Sequence, residues 1–171
     1  MKETPNKIHI IGSVGSGKTT LAKLLSIKLN IPYYELDNIV WKRHPAGDTR
    51  RTEEEREQCL YPILQNEKWI IEGAHYQEWI TSSLHQAECI IFLDPNYAVR
   101  TYRIIKRFIW QKIGWEKSHY KPTVPIFLKM FVWNRNFEEA GKPMLFDTYG
   151  KLYENKLVVI KNKREMKKLL Q

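Results

Sequence analysis

A glycine-rich run that begins at Gly12 has the residue types and spacing of a phosphate-binding loop. Residues 12–19 are Gly-Ser-Val-Gly-Ser-Gly-Lys-Thr, which fits the pattern Gly-x-x-x-x-Gly-Lys-Ser/Thr. Glycines allow positive φ and let successive backbone N–H groups reach phosphate oxygens. Lys18 can reach the β- and γ-phosphates, and the Thr19 hydroxyl can bind Mg²⁺. The pattern predicts that the chain binds a nucleoside triphosphate.

The flanking segments favour a binding loop over a turn that binds nothing. An apolar segment precedes the run, and a helical pattern follows it with one face formed by Leu21, Leu24, Leu25 and Leu29. A helix that begins at about Lys18 would direct the positive end of its dipole toward the same anion. We expect the nucleotide to be bound by Gly12, Ser13, Val14, Gly15, Ser16, Gly17, Lys18, Thr19 and Thr20.

Five short apolar runs, separated by helical patterns, predict an α/β fold. They span residues 7–11, 33–36, 69–71, 89–93 and 156–160. Because they are nearly continuous in Val, Ile, Leu and Phe, they suit parallel strands covered on both faces, with helices as right-handed crossovers. The length of 171 residues suits one domain, so we expect residues 1–171 to fold together.

Capping patterns predict where two of the helices begin. Thr52, with Glu55 three residues later, has the spacing of a capping box, and Pro62 is expected to kink or shorten the helix that follows. Another helix is expected after Asn162, with Glu165 completing its cap.

Two longer helices are predicted in the second half of the chain. The pattern favours helices over Tyr97–Lys112 and residues 124–140, the second stopped by Gly141 and Pro143. Residues 114–123, between them, are predicted to form a mobile loop.

The formal charge of +9 is concentrated in two parts of the chain. Residues 97–136 contain nine basic side chains and one acid, and residues 151–171 contain seven basic side chains and two acids. This bias favours a polyanionic partner such as nucleotide phosphates, nucleic acid or an acidic surface. A solubilising surface gives the same pattern, and we favour it for the C-terminal lysines.

Composition argues against several other classes of protein. No apolar run approaches the roughly 20 residues of a membrane-spanning helix, and the first residues lack the apolar stretch of a secretory signal. Cys59 and Cys89 provide neither a disulfide framework nor a metal-binding spacing. We expect a cytoplasmic protein with two reduced, buried thiols and no membrane partner.

The order of these motifs resembles the adenylate-kinase-like family of small P-loop kinases, and within it the proteins labelled DNA topology modulation protein. The resemblance covers nearly the whole chain and is carried by the loop at 12–19, Leu36-Asp37 with Trp41, Trp69–Gly73, Cys89–Leu93 with Asp94-Pro95, and Arg103 with Arg107. It implies a three-layer αβα P-loop NTPase fold with a five-stranded parallel sheet of order 2-3-1-4-5. It also implies a helical lid region over about residues 97–141, between strands 4 and 5.

The resemblance assigns roles to two acids. Asp37 would orient or deprotonate the acceptor, since ligands bind at the carboxyl ends of parallel strands; the alternative is a helix N-cap beside Asn38. Glu72 stands where relatives carry aspartate and would hold Mg²⁺ through water. Gly73-Ala74-His75-Tyr76 departs from the Gly-Asn-Tyr common in the group, and we expect His75 to be a solvated loop residue.

Arg103 and Arg107 match a pair of lid-proximal arginines in the family. The resemblance implies that they clamp phosphate oxygens during transfer, the alternative being a solvated basic helix face. Arg100 lies outside the matched pair, and Arg135 is a further candidate on the next helix. Asp94 resembles a metal-linked acid, but we expect it to cap the helix that follows.

Three functions are compatible with this pattern. We favour an ATP- and Mg²⁺-dependent kinase acting on a nucleotide or another small acceptor. The alternatives are a nucleotide-dependent regulatory protein that binds nucleic acid, and a nucleotide-binding scaffold without catalysis. The chain has no Asn-Lys-x-Asp signature of a GTPase and no recognised nucleic-acid-binding motif.

Overall fold

A computed structural model describes residues 4–44, 47–115 and 123–170. Five strands form one parallel sheet: β1 (Lys7–Gly12), β2 (Tyr33–Glu35), β3 (Trp69–Gly73), β4 (Cys89–Leu93) and β5 (Leu157–Ile160). Their order across the sheet is β2-β3-β1-β4-β5, the order that the resemblance implied. The predicted α/β class with a five-stranded parallel sheet is confirmed.

Helices connect the strands and cover the sheet. They are α1 (Lys18–Leu29), α2 (Leu36–Val40), α3 (Glu53–Leu64), α4 (Thr81–Gln86), α5 (Tyr97–Lys112), α6 (Val124–Asn136), α7 (Lys142–Met144) and α8 (Lys163–Leu169). Short 3₁₀ turns lie at Glu78–Ile80 and Glu154–Lys156, and Trp41–Lys42 pairs antiparallel with Thr49–Arg50. The crossovers leave the carboxyl ends of the parallel strands at one edge of the sheet.

Two apolar cores lie on the two faces of the sheet because successive side chains of a strand point in opposite directions. Ile8 and Ile10 of β1 belong to the core that includes Leu21 and Leu25 of α1. Ile11 belongs to the other core, which contains residues of α2, α3, α4 and the segment after α6. The pattern placed Leu24 on the buried face of α1, but its side chain is exposed.

The predicted helix starts are confirmed. The Thr52 hydroxyl accepts a hydrogen bond from the Glu55 backbone N–H, and the Glu55 carboxylate accepts one from the Thr52 N–H. Asn162 accepts from the backbone N–H groups of Arg164 and Glu165 at the start of α8. Pro62 lies inside α3 and does not end it, since the helix continues to Leu64.

The helix predicted over residues 124–140 does not stop at Gly141. Regular α-helix ends at Asn136, but the chain continues as a π-helix over Phe137–Gly141, as α7, and as a second π-helix over Leu145–Gly150. Gly141 has helical φ (−66°), and the widened turns accommodate Pro143, which lacks a donor. Burial of Phe137, Gly141 and Leu145 on one face outweighs the two helix breakers.

Three other expectations concern a loop, the two cysteines and the lengths of the helices. Of the predicted mobile loop, residues 116–122 lie outside the described residues. Cys59 and Cys89 are free and half-buried, and burial raises the pKa of the Cys89 thiol. Among the described residues, every helix falls short of the length and apolarity needed to cross a bilayer.

Candidate active site

The predicted phosphate loop joins the end of β1 to the start of α1, and α1 begins at Lys18 as expected. Gly15 and Gly17 have φ of 74° and 101°, values that other residues rarely adopt. A Cβ at Gly15 would lie 2.8 Å from the Arg100 carbonyl oxygen, so α5 packs directly on the loop. The backbone therefore turns as a phosphate-binding loop requires.

Residues of the loop hold one another in place. The Lys18 ammonium donates to the Ser13 carbonyl oxygen at 3.1 Å, and the Ser16 N–H donates to the same oxygen at 3.2 Å. The Ser16 side chain is buried, and its hydroxyl has no hydrogen-bond partner within the described part of the chain. Val14 is half-buried and Thr20 is exposed at the first turn of α1.

The predicted metal ligands Thr19 and Glu72 lie together. The Thr19 hydroxyl donates to a Glu72 carboxylate oxygen at 2.5 Å, and Glu72 is only 5% exposed. Burial raises the pKa of Glu72; the charge of Lys18 and the hydrogen bond from Thr19 oppose this rise without cancelling it. A hydroxyl and a carboxylate are hard oxygen donors that suit Mg²⁺, which takes its other ligands from water and phosphate. The donor set therefore fits that ion, although the described residues contain no cluster of three or more His, Cys, Asp or Glu side chains.

Two helices, α5 and α6, contact the loop with polar side chains. The Arg103 guanidinium on α5 donates to the Gly15 and Ser16 carbonyl oxygens at 3.2 and 2.8 Å. From α6, the buried Asn134 accepts a hydrogen bond from the Ser13 hydroxyl at 3.1 Å and donates to Thr101 on α5. Asn134 was not predicted as a site residue, although an amide on the same helical face as Phe127, Met130 and Phe131 was a detectable signal.

Arg103 and Arg107 do not converge on the same partner. Arg107, one turn further along α5, contacts the Met130 sulfur at 3.4 Å. Arg100 is fully buried and forms an ion pair with Glu138, so it is not part of a solvated face. Arg135 is exposed and pairs with Glu139 at 2.7 Å.

We expected Asp94 to cap the next helix, but it does not. The N-cap of α5 is Asn96, whose side chain accepts from the Ala98 N–H at 2.9 Å. Asp94 is instead paired with Lys142 at 2.9 Å, and Lys142 also contacts Glu138. A chain of charges therefore links the end of β4 through the segment after α6 to the buried Arg100 on α5.

Asp37 lies across the same sheet edge from the loop, in the first turn of α2. It is not an N-cap, because α2 begins at Leu36. His75 donates to its carboxylate at 3.2 Å and packs against the Trp79 ring, with a ring-centroid distance of 5.5 Å. Partial desolvation acts to raise the pKa of Asp37. The hydrogen bond from His75 and the positive charges of His75, Lys18 and Arg43 outweigh this effect, so the pKa is lowered overall. The His75 side chain is only 16% exposed, so it is not the solvated residue predicted.

Two arginines on the acceptor side, Arg51 and Arg56, donate hydrogen bonds to backbone carbonyl oxygens. Arg51 donates to the carbonyl oxygens of Asn38, Ile39 and Trp41, which closes the C-terminal end of α2. Arg56 donates to the Arg51 carbonyl oxygen and lies over the Trp79 ring. These two guanidinium groups therefore support the short elements that carry Asp37 and His75.

A shallow cavity, open to solvent and with room for about one water molecule, adjoins the other side of the loop. Apolar side chains contribute much of its lining, including Leu93, Pro95, Ile160 and Met166. The buried Ser16 and the guanidinium of Arg103 also line it. Its lining therefore offers both apolar and polar contacts beside the loop.

Comparison with known proteins agrees with this geometry. No family model matches the chain. The chain is 28% identical over 131 residues to a cytidylate kinase from Sulfurisphaera tokodaii, a match that covers 66% of this chain and 72% of that protein.

Solved structures resemble the chain over nearly its whole length. A shikimate kinase from Acinetobacter baumannii in complex with shikimate has a TM-score of 0.61 at 14% identity, covering 99% of this chain and 93% of that one. A gluconokinase from Sinorhizobium meliloti has a TM-score of 0.56 at 16% identity, covering 99% and 89%. The chain therefore has the fold of the small P-loop kinases, and the relative in sequence named above is also a kinase.

Proposed function

We propose that this chain is a kinase that transfers the γ-phosphoryl group of ATP, with Mg²⁺, to a hydroxyl of a small acceptor. One observation carries the proposal: the phosphate loop and the acid Asp37 share one edge of the sheet. They are close enough that the charge of Lys18 helps to lower the pKa of Asp37. A group that grips the phosphate and a carboxylate that can orient the attacking hydroxyl are what this reaction needs.

On the nucleotide side, the chain's own residues bind and neutralise the phosphates. The amides of residues 12–19 and the dipole of α1 hold the phosphate oxygens, and Lys18 leaves the Ser13 carbonyl to bind them. Thr19 and Glu72 would hold Mg²⁺, which when bound neutralises charge on the β- and γ-phosphates. The purine would lie over the shallow cavity beside Ser16 and Arg103.

On the acceptor side, the charges favour a hydroxyl over a phosphate as the attacking group. The charges of Asp37 and Glu35 contribute to the raised pKa of Glu72, so three carboxyl groups lie near one another and would repel an incoming phosphate. Arg51 and Arg56 are committed to backbone carbonyls and Arg43 is paired with Asp48, so these arginines offset only part of that repulsion. A hydroxyl needs a carboxylate that accepts its proton, and a lowered pKa keeps Asp37 ionised for that role.

The names of similar proteins support small-molecule acceptors but do not select one. Two of the similar structures are named for shikimate and gluconate, and the sequence relative is named for a nucleotide. A nucleotide would still qualify if a sugar hydroxyl were the group attacked. The α5–α6 pair, which carries Arg103 and Asn134, would serve as the lid that excludes water.

A second candidate is a nucleotide-dependent protein that binds nucleic acid, which agrees with the label DNA topology modulation. The observation in its favour is the formal charge of +9. Against it, several basic side chains of the described residues are already bound to carbonyl or carboxylate oxygens of the chain itself. These include Arg51, Arg56, Arg100, Arg103, Lys142 and Lys156. A scaffold without catalysis is the remaining alternative.

The test is a panel of acceptors incubated with ATP and Mg²⁺, with acceptor-dependent ADP release as the readout. Nucleosides, nucleoside monophosphates and small hydroxylated metabolites should be compared with and without the Lys18→Ala substitution. We expect release with a hydroxyl acceptor and its loss in the variant. Salt-sensitive DNA binding without any acceptor-dependent turnover would instead support the nucleic-acid alternative.

A further inference from the structure

Helix α5 exposes large apolar side chains on its outer face in addition to burying Ile104 on its inner face. It turns its arginines inward: Arg100 is buried, Arg103 contacts the phosphate loop and Arg107 contacts Met130. On its outer face it exposes six large apolar side chains, Val99, Tyr102, Ile105, Ile109, Trp110 and Ile113, the last just beyond the helix end. A surface helix normally directs such residues to the core and its charges to water. Solubility alone does not account for this arrangement.

The outer face of α5 is continuous and almost free of charge. At 100° per residue its apolar side chains lie within an arc of about 140°, and over 14 residues the face is roughly 21 Å long. The only charged residue of α5 inside that arc is Lys106, whose ammonium lies 4.2 Å from the centroid of the Trp110 ring. Depletion of charge with enrichment in Tyr, Trp and Ile is typical of the buried centre of a protein interface.

The exposed area is large for a monomer. Tyr102 is 63% exposed, and Ile109 and Ile113 are 50% and 52% exposed. The six side chains present on the order of 600 Å², the upper end of the largest apolar patch on typical monomers. Trp115, packed edge-on against Trp110, brings the patch toward the roughly 800 Å² that each partner of a stable dimer buries.

We propose that the outer face of α5 binds the same face of a second copy of this chain. In an antiparallel two-fold pair centred near Lys106, Val99 would oppose Ile113 of the other copy, and each Tyr102 would pack near Ile109. Each Lys106 ammonium is attracted to its Trp110 ring, which offsets part of the cost of bringing two ammonium groups near the axis. Arg103 lies about 90° around the helix from the centre of this face, and its guanidinium is directed toward the phosphate loop.

An anionic membrane is the other surface that an amphipathic helix could contact. Interfacial helices flank their apolar face with Lys and Arg that reach lipid headgroups. The arginines of α5 are committed to Glu138, the loop and Met130, which leaves two lysines, Lys106 and Lys112, as the cations of the helix for headgroups, a small electrostatic contribution. This favours a second copy over a lipid surface.

The test measures the mass of the chain by sedimentation equilibrium at several concentrations. We expect twice the 20.5 kDa chain mass for the natural sequence, and self-association weakened at least about 100-fold in Ile109→Glu. An isologous interface contains each substitution twice, which enlarges the effect. Added salt should strengthen association, because it screens repulsion between two chains of charge +9.

Ile27→Glu is the matched control, since Ile27 on α1 is an 82% exposed isoleucine away from the proposed interface. It should remain dimeric, and Tyr102→Glu serves as a second interface variant. Circular dichroism and nucleotide binding should be unchanged in all three variants. A monomeric natural chain at every concentration, or a dimeric Ile109→Glu variant of native fold, overturns the proposal. Binding of a monomer to phosphatidylserine vesicles that Ile109→Glu abolishes would also overturn it, in favour of a membrane surface.

Discussion

Around the phosphate loop, residues from several elements hold the backbone, whereas at the acceptor edge one hydrogen bond joins Asp37 to His75. Arg103 and Asn134 contact the loop from α5 and α6, and Glu72 binds Thr19 from β3. On the other side, α2 is five residues long and the Asp37 side chain is 66% exposed. The nucleotide side is therefore preorganised by long-range contacts, and the acceptor side is open.

This difference predicts which property each substitution will change. A side chain that belongs to the loop should affect nucleotide binding and turnover together. A side chain at the acceptor edge should affect turnover and leave nucleotide binding unchanged, because no contact of Asp37 or His75 holds the loop backbone. The predictions below apply to the acceptor found with the panel.

The largest effect is expected for Lys18→Ala. Removing the ammonium leaves charge on the transferring phosphoryl group uncompensated, and the rate of ADP formation should fall about 100- to 1000-fold. Calorimetry should also show weaker ATP binding. Lys23→Ala, an exposed lysine on the same helix, is the control and should behave like the natural chain. Equal loss in both variants would mean that only the charge of the helix matters.

Asp37→Asn should lower kcat by about 100-fold, since the amide cannot accept the proton of the attacking hydroxyl. Calorimetric affinity for ATP should be unchanged, because the carboxylate belongs to the acceptor edge. If Asp37→Asn weakened ATP binding as much as Lys18→Ala did, the division of the site into two halves would be wrong.

Glu72→Gln should lower activity by about 10- to 100-fold and raise the Mg²⁺ concentration needed for half-maximal rate. The same change should stabilise the fold at neutral pH, because burial disfavours the ionised carboxylate. The raised pKa means that Glu72 costs stability as pH rises through its folded-state pKa. The gain measured by chemical unfolding should therefore disappear at acid pH, and a gain that persisted there would refute this account.

His75→Gln should move the acid limb of the kcat profile to higher pH. His75 supplies the hydrogen bond and part of the charge that lower the pKa of Asp37, so without it a larger fraction of the base is protonated in mild acid. His85→Gln, at an exposed histidine on α4, should leave the profile unchanged. An unshifted limb in His75→Gln would show that Asp37 is not the titrating base.

Sequence reasoning was most successful where the signal is local. The loop at 12–19 and the Thr52 capping box each lie within a few adjacent residues, and the five strands were visible as apolar runs. The pairing of Thr19 with Glu72, across 53 residues, followed from the resemblance, because it depends on the register of β1 beside β3.

Other features depended on packing between distant segments. The helix after α6 continues through Gly141 because Phe137 and Leu145 are buried against the sheet, which local propensity cannot register. The partners of Asp94 and Arg100 lie 48 and 38 residues away, so neither pairing has a local pattern. Asn134 was overlooked because its role depends on where α6 crosses the loop.

The smallest effect is expected at Asn134, where α6 crosses the phosphate loop. It tests whether the contacts that preorganise the nucleotide side include the one from α6. Asn134→Ala removes one buried hydrogen bond to Ser13, which should weaken ATP binding about 2- to 10-fold in calorimetry. Asn136→Ala, at an exposed position near the end of the same helix, is the control and should bind ATP normally. If the hydrogen bond itself links α6 to the loop, Ser13→Ala and the double variant should bind ATP as weakly as Asn134→Ala alone, because the same interaction is lost in each. Additive effects would mean that Asn134 acts through Thr101 and α5, and the loop would then be held by one helix instead of two.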